Sequence, residues 1–417
     1  MIDSEQQNIE AERAWFTVLM EALQKFPPRP TGAGELFQLF RDGAPRTRAS
    51  LVSETGQSRS TVAARIDALS AAGLLAPAGE ATSTGGRPPS TFAFSPANRI
   101  VLGVDLGATH ARLAVTDLAA NALASMQAPL AITDHPEHVL SWVAETGTQL
   151  VAKAGRSLDE LAGIGIGLPG PVDHTDGRPV NPPIMPGWDG TDVPGILHQL
   201  LGAPVVVDND VNVMALGEHR TVCPDVQNLL FVKVATGIGA GVVMDSELRR
   251  GAQGAAGDIG HIAVPGAAET PCRCGNTGCL EAVAGGGAIA DVLRRGGARI
   301  DTTQDIVDLV RAGDIAAGQA VRQAGRDIGA VLAATVSMLN PSRIIVGGML
   351  SGAGEHLIAG IREVVYQRSL PLATQHLRIT TSRAGAQAGV VGAATLVTDR
   401  FLAPHSIDAL ITVKEDM

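Results

Sequence analysis

The chain has 417 residues, enough for two or three domain-sized units and a sizeable core. Its 45% apolar and 18% charged content excludes a predominantly disordered protein. With 32 Lys plus Arg against 42 Asp plus Glu, the formal charge of −10 excludes a surface that is basic throughout but leaves room for a small DNA-reading module.

The first residues, MIDSEQQNIEAERAW, are acidic and lack the basic head and apolar stretch of a secretory signal. Later apolar runs are broken by Asp, His, Arg and Gly, so buried strands and tight turns are expected and no membrane segment. Four Cys are too few for a disulfide scaffold, and Cys272, Cys274 and Cys279 crowd into eight residues. That concentration suggests a metal site in a reducing cytoplasm.

Residues 1–31 are expected as an N-terminal helical extension, with a helix over 11–25 ended by the run Phe26, Pro27, Pro28, Arg29, Pro30. Residues 32–98 predict a winged helix-turn-helix: helices at 32–40, 48–55 and 59–72, Thr47 and Ser58 as N-caps, and Gly56 as the turn. In the third helix Val62, Ile66 and Leu69 form the packed face, leaving Ser58, Arg59, Ser60, Thr61 and Arg65 for a DNA groove. Arg48 and Arg87 complete the candidate DNA contacts, Arg87 at the tip of a polar loop between two short strands, where it could enter a minor groove. Residues 41–90 hold six Arg against four acids, whereas residues 1–40 hold three basic and six acidic residues. The positive charge is therefore local to the module. The plainer alternative is a helical accessory or dimerisation domain, with Ser58 only a cap and Arg65 only a solvated side chain.

From residue 99 to 400 strand signals alternate with longer helical ones. Strands are expected at 100–106, 112–116, 163–167 and 205–208, with helices at 137–154 and 212–219. Further strands are expected at 228–234, 240–244 and 343–346, with a long helix at 316–339. Both halves open with strand, small-residue turn and strand, which favours two similar lobes around a cleft. Residues 401–417 read as a polar, loose tail.

Val104 to His110 (VDLGATH) follows a strand: Asp105 could hold a divalent cation or its water, Gly107 permits close approach, and Thr109 could contact phosphate. Ala235 to Gly241 (ATGIGAG) again joins a hydroxyl, Thr236, to Gly237, Gly239 and Gly241. Neither is a P-loop, and either alone could be a tight strand connection; as a pair they favour a phosphate cleft. Between them, Asp210 is the best candidate for accepting a proton from a sugar hydroxyl, with Asn209 positioning the substrate, although Asp208 or Asp210 could instead cap a helix. His261 with Cys272, Cys274 and Cys279 supplies four ligands suited to tetrahedral zinc. With all four bound no position stays open, so the zinc would be structural, fixing Asp258 and Glu281 around a ligand. Cys223 stands apart and reads as an ordinary small buried residue.

Over residues 32–398 these motifs resemble the ROK family of repressors and sugar kinases, in particular members with an N-terminal winged helix-turn-helix. The resemblance implies an α/β fold of two actin-like (ribonuclease H-like) lobes, commonly assembled as a homodimer or homotetramer. On it, Asp105, Gly107 and Thr109 match the first phosphate motif; Thr236, Gly237, Gly239 and Gly241 match the second. Gly347 and Gly348 resemble the late nucleotide-contacting turn. Pro169, Gly170, Asn209, Asp210, Asp258, His261 and Glu281 fall in the sugar-site neighbourhood, and His261, Cys272, Cys274 and Cys279 match the zinc motif. Two positions depart from the family pattern: Ala108 replaces the second Gly of the first motif, and Asp258 replaces a Glu, shortening a sugar-contacting carboxylate by one methylene. The expectation is a sugar-responsive transcriptional regulator, a repressor, that binds operator DNA and a sugar or sugar phosphate. The alternative is an ATP-dependent hexose kinase using ATP and Mg2+, with or without DNA binding.

Overall fold

The computed structural model describes residues 32–80 and 89–415. The extension expected over 1–31 and the candidate DNA contact Arg87 lie outside the described residues.

The chain begins with α1 (Ala33–Gln38), extended by a 3-10 turn at Leu39–Asp42, then β1 (Arg46–Thr47), α2 (Arg48–Thr55) and α3 (Arg59–Ala71). Thr47 caps α2, its hydroxyl accepting from the Ser50 N–H at 3.0 Å, and Ser58 caps α3, accepting from the Thr61 N–H at 3.1 Å. Gly56 ends α2 in the left-handed region (φ 68°), where a residue without Cβ is unstrained. Next come β2 (Leu75–Glu80) and β3 (Ser90–Phe94), and the sheet order β1-β3-β2 makes the wing. Phe37, Phe40, Leu51, Val62, Ile66 and Leu69 are completely buried beneath the helices.

The first lobe contains β4 (Ile100–Leu106), β5 (His110–Asp117), β6 (Ala122–Pro129), α4 (Pro136–Lys153), β7 (Leu161–Leu168), the short pair β8 (Val172–Asp173) and β9 (Arg178–Pro179), α5 (Val193–Leu201) and β10 (Val205–Asn209). Helix α6 (Asp210–Val222) leads to the second lobe. That lobe contains β11 (Leu229–Val234), β12 (Ile238–Met244), β13 (Glu247–Arg249), α7 (Leu280–Ala284), α8 (Gly286–Arg295), α9 (Thr303–Arg311) and α10 (Ile315–Leu339). It continues with β14 (Arg343–Gly347), α11 (Glu355–Arg368), α12 (Pro371–Thr374) and β15 (Arg378–Thr381); α13 (Ala388–Phe401) and α14 (Pro404–Glu415) follow.

The sheets run β10-β7-β4-β5-β6 and, read in the matching sense, β15-β14-β11-β12-β13. In each, the opening strand pairs antiparallel with the second and parallel with the fourth. One plan is thus used twice, as the repeated strand, turn and strand anticipated, and this is the two-lobed actin-like sugar-kinase fold. Among the described residues no helix is long and apolar enough to cross a membrane.

Helix α13 lies where everything meets. A Cβ at Gly165 of β7 would fall 1.8 Å from the Ala393 carbonyl oxygen, and one at Gly392 would fall 1.6 Å from the Val213 carbonyl oxygen. Bare backbone at these crossings is what lets α13 press on both the first sheet and α6.

Of residues 401–417, expected as a loose tail, the described ones, 401–415, are instead largely helical and docked. Ile407, Leu410 and Ile411 join Leu402 and Val397 in the core of the winged module, and the Asp408 carboxylate accepts the Gly34 N–H at 2.8 Å. Leu410 and Ile411 follow Ile407 by three and four residues, one face of a helix, which the polar flanks masked. The same core reaches Val101, Leu118 and Ala162, so the module is packed onto the first lobe.

Candidate functional site

In the module, Arg59 is exposed, and among the described residues its side chain has no ion-pair or hydrogen-bond partner. Ser58 and Ser60 are exposed beside it, Thr61 is half-buried, and the Ser58 hydroxyl lies 2.8 Å from both the Ser60 and Thr61 hydroxyls. Arg65 turns back, its guanidinium donating to the Gln57 side-chain oxygen at 2.6 Å, and Arg48 pairs with Asp67 at 2.7 Å while lying 4.8 Å over the Phe92 ring. Arg59 and the α3 N-terminus are therefore what this surface presents most freely, a helix start rich in hydroxyls with one unpaired cation.

Between the lobes, Asp105 closes β4 and is 5% exposed; Asp210 opens α6 and is 3% exposed. Burial pushes both carboxyls above the usual range, and neighbouring cations offset this. Lys233 donates a hydrogen bond to the Asp210 carboxylate, and Arg112 approaches Asp105 at 3.4 Å. Burial alone would lower the Lys233 pKa, but Asp210 and then Asp105 raise it above the usual lysine value. The Arg112 guanidinium also lies 2.7 Å from His110 Nε2, and burial, then Arg112 and Lys233, hold His110 down to about 4. His110 is consequently neutral at pH 7 and accepts from Arg112.

The first Gly-rich turn is closed by the Gly107 N–H donating to the His110 carbonyl at 2.8 Å. Gly107 was expected to admit a phosphate; the group that crowds it is the His110 ring, 2.3 Å from where a Cβ would stand. Neither Gly107 nor Ala108 has positive φ, which is why a methyl is accommodated at 108. Thr109 and Thr236 are exposed at the two turns. Gly348 (φ 82°) packs where a Cβ would fall 2.5 Å from the Val234 carbonyl oxygen, next to the second turn. Gly239 and Gly347 pair across the sheet with Lys233 itself, and Gly241 packs against Ala215 of α6.

Asn209 is the N-cap of α6, its side-chain oxygen accepting from the Val211 N–H, while its amide donates to the Gly170 carbonyl at 2.9 Å. This ties Asn209 to the turn of Pro169 and Gly170. Asp208 is not the cap of α6: Arg250 at 2.6 Å and Asn212 at 2.7 Å hold its carboxylate. Glu281 accepts the Ile238 N–H at 3.2 Å and lies against Gly237, so it reaches the second turn, and Asp258 is exposed in the loop leading to His261.

His261, Cys272, Cys274 and Cys279 converge, with all ligand atoms within 4.8 Å of one another. Cys272 Sγ is 3.7 Å from His261 Nδ1, and Cys274 Sγ is 3.7 Å from Cys279 Sγ. Tetrahedral zinc with Zn–S of about 2.3 Å and Zn–N of about 2.0 Å spaces its ligands roughly 3.5–3.8 Å apart, so the four residues fit that ion. The knuckle is held by the Cys272 N–H donating to the Asn276 carbonyl and by Gly275 and Gly278 at φ 92° and 74°. Hydrogen bonding, first from the Asn276 N–H, holds the Cys274 thiol down to about 7, while burial pushes Cys279 up to about 12. Cys223 is buried immediately after α6, as its C-cap, its thiol donating to the Glu218 carbonyl.

Three contributors escaped sequence reasoning. Lys233 stood as a lone cation in the apolar run LLFVKV, and a buried charge demands a partner. Arg112 alternates with apolar residues on β5 and gave no such signal. Glu218, completely buried, accepts from the Ser382 hydroxyl and the Arg383 and Ala384 N–H groups, anchoring α6 to the segment before α13.

Comparison with known proteins matches this architecture. The chain is 28% identical over 358 residues to the xylose repressor of Caldicellulosiruptor bescii, covering 82% of this chain and 89% of that repressor. A crystal structure of a ROK family transcriptional regulator, a homologue of the E. coli MLC protein, superposes with a TM-score of 0.78 at 27% identity, covering 91% of this chain and 98% of that one. The ROK hexokinase of Thermus thermophilus superposes with a TM-score of 0.59 at 32% identity, covering 71% of this chain and 97% of its own. The family model described as ROK matches residues 101–400, the whole of both lobes, and the chain belongs to the ROK family.

Proposed function

We propose that this protein is a sugar-responsive, DNA-binding transcriptional repressor whose two-lobed domain holds the sugar and a structural zinc, working in the cytoplasm as a homodimer or homotetramer. The observation that carries the reading is coverage: the regulator superposes over 91% of the chain, more than the two lobes alone occupy, whereas the hexokinase covers 71%. The domain division follows: 32–98 reads operator DNA, 99–400 binds ligand, and residues from 401 onward brace the reader.

Asn209, held by Gly170, presents its amide edge to a sugar, with Asp210, Glu281, Asp258 and His261 as further hydrogen-bonding groups. With Nδ1 turned to the sulfurs, His261 keeps Nε2 for a sugar hydroxyl. Zinc, when bound, supplies no open coordination position; its ligands fix His261 and the start of α7, and with it Glu281.

A physical route joins sugar to DNA. Helix α13 starts with Gly389 against Asp105, where a Cβ would fall 2.3 Å from the carboxylate, and ends with Asp399 paired to Arg41 and the Leu402 carbonyl accepting from Gln38. Movement of the lobes about a ligand is thereby transmitted to the reader, and in a dimer it changes the spacing of two α3 helices. The alternative, a hexose kinase with ATP and Mg2+, draws on the retained Asp105 and Asp210 and on the identity to the hexokinase.

The test is selection of bound genomic fragments by the full chain, repeated with a panel of sugars and sugar phosphates. A recovered operator whose affinity drops with one sugar supports the proposal. Specific DNA binding that no sugar or sugar phosphate alters removes the sugar-responsive part, and no specific DNA binding removes the whole.

A further inference from the structure

The charges of the cleft disagree with magnesium nucleotide chemistry. A kinase working here would need Asp105 free to hold a cation or its water, Asp210 free to take a proton, and an open first turn. Each of these is already engaged: Asp105 by Arg112 at 3.4 Å, Asp210 by Lys233, and the Gly107 turn by the His110 ring.

Lys233 reaches Asp210 because of where the sheet places it. It lies on β11 between Gly239 of β12 and Gly347 of β14, its direct partners in register. Directly paired residues point to the same face, and a Cβ at Gly347 would fall 2.4 Å from the Phe231 ring and one at Gly239 3.1 Å from Val211, so the glycines let Phe231 and α6 pack close beside the lysine. Phe231, two residues earlier on the same face, is completely buried and closes the floor, and the α6 N-terminus delivers Asp210 to the ammonium.

We infer that Lys233 and Arg112 are built-in substitutes for the divalent cation, so that the cleft takes a sugar without magnesium nucleotide and transfers no phosphate. Two carboxylates and two cations cancel, and His110 beside them is neutral. A dication arriving in this balance meets two fixed positive charges at contact range, and expelling either one leaves a buried charge without its partner. The inference builds on the reading of the cleft as the ligand site but not on DNA binding.

The test uses the full chain and a fluorescent ADP, titrated with and without Mg2+. In the wild type, Mg2+ should alter nucleotide affinity by less than about twofold. In Arg112→Ala/Lys233→Met, Mg2+ should tighten it by about tenfold or more, a modest return for removing two like charges within ~5 Å of the ion. Mn2+ with ADP, followed by electron paramagnetic resonance, should report the same contrast. A wild-type chain whose nucleotide affinity rises tenfold with Mg2+, or that makes sugar phosphate from ATP, overturns the inference. So does a double variant of native circular dichroism that gains no metal dependence. Should the double variant not fold, Lys233→Met and the wild-type titration decide by the same thresholds. None of these outcomes depends on operator binding, so failure of the regulator reading registers separately.

Discussion

Gly392→Ala tests the crossing of α13 and α6. The added methyl would stand 1.6 Å from the Val213 carbonyl oxygen, 2.6 Å from its carbon and 2.9 Å from the Gly217 nitrogen. All three are backbone atoms, so no rotamer change relieves the clash, and the helices must part by about 1.4 Å to restore a 3.0 Å contact. Parting them loosens neighbouring crossings too, because α13 also presses on Gly165 and Gly103. Overpacking of this kind costs about 1–3 kcal/mol where side chains can adjust; here, where only helices can move, the upper end, about 3 kcal/mol, is expected. Gly287→Ala is the internal control: it lies exposed in the first turn of α8 with no atom within 4 Å of its would-be Cβ, and should gain about 0.5 kcal/mol. Calorimetric melting of the two variants and wild type reads the difference, and sugar titration should show weaker binding in Gly392→Ala, since α6 carries Asp210 at its start. A Gly392→Ala protein that melts with wild type and binds sugar as tightly would refute the close-packed crossing.

Other expectations follow from the module, the knuckle and the cleft. Cys274→Ala should cost about one equivalent of metal per chain and loosen the loop bearing His261, measured by elemental analysis of protein purified without added zinc; wild-type protein free of metal would contradict it. Arg59→Ala should weaken operator binding by about 1–3 kcal/mol at fixed salt, while Arg65→Ala, tied to Gln57, should cost less; the reverse order would place the DNA contact elsewhere. His110 has a folded pKa near 4 against 6.5 for the free side chain, so the unfolded chain binds the extra proton in between. Its contribution is complete above pH ~6.5, falls as pH drops towards ~4, and after discounting for partial exposure amounts to about 1–2 kcal/mol. His110→Asn should flatten that part of the pH–stability curve, and a curve unchanged by the substitution would show that His110 is not buried in neutral form.

Much of the fold could be read from the sequence because it is written in local terms. The strand at 100–106 and the helix at 48–55 were placed to the residue, since each combines apolar periodicity with a cap or turn at its edge. The metal ligands were legible for a similar reason: three Cys in eight residues have few other uses. What failed to show was long-range. Helix α14 is a weak helix by pattern and a firm one by contact, its meaning residing in Gly34 and the Asp408 carboxylate, 374 residues apart. The cleft was legible as to which acids it holds but not as to their state. Asp105 and Asp210 announce themselves, whereas Arg112 meets Asp105 only once β4 and β5 pair in register, and Lys233 on the other lobe reaches Asp210 only after both sheets have folded.

The docking of α14 also imposes an order on synthesis. The winged module emerges first, yet Leu402, Ile407, Leu410 and Ile411, which seal the apolar face around Phe37 and Leu69, are added hundreds of residues later. A nascent or prematurely terminated chain therefore carries a reader with an open core, stabilised by neither the C-terminal helix nor the Gly34 hydrogen bond. Because the lobes are translated in between, a reader completed in this way belongs to a chain that already contains its ligand site. On the proposed function, partial products that occupy DNA yet never respond to a sugar are disfavoured by the wiring of the fold itself.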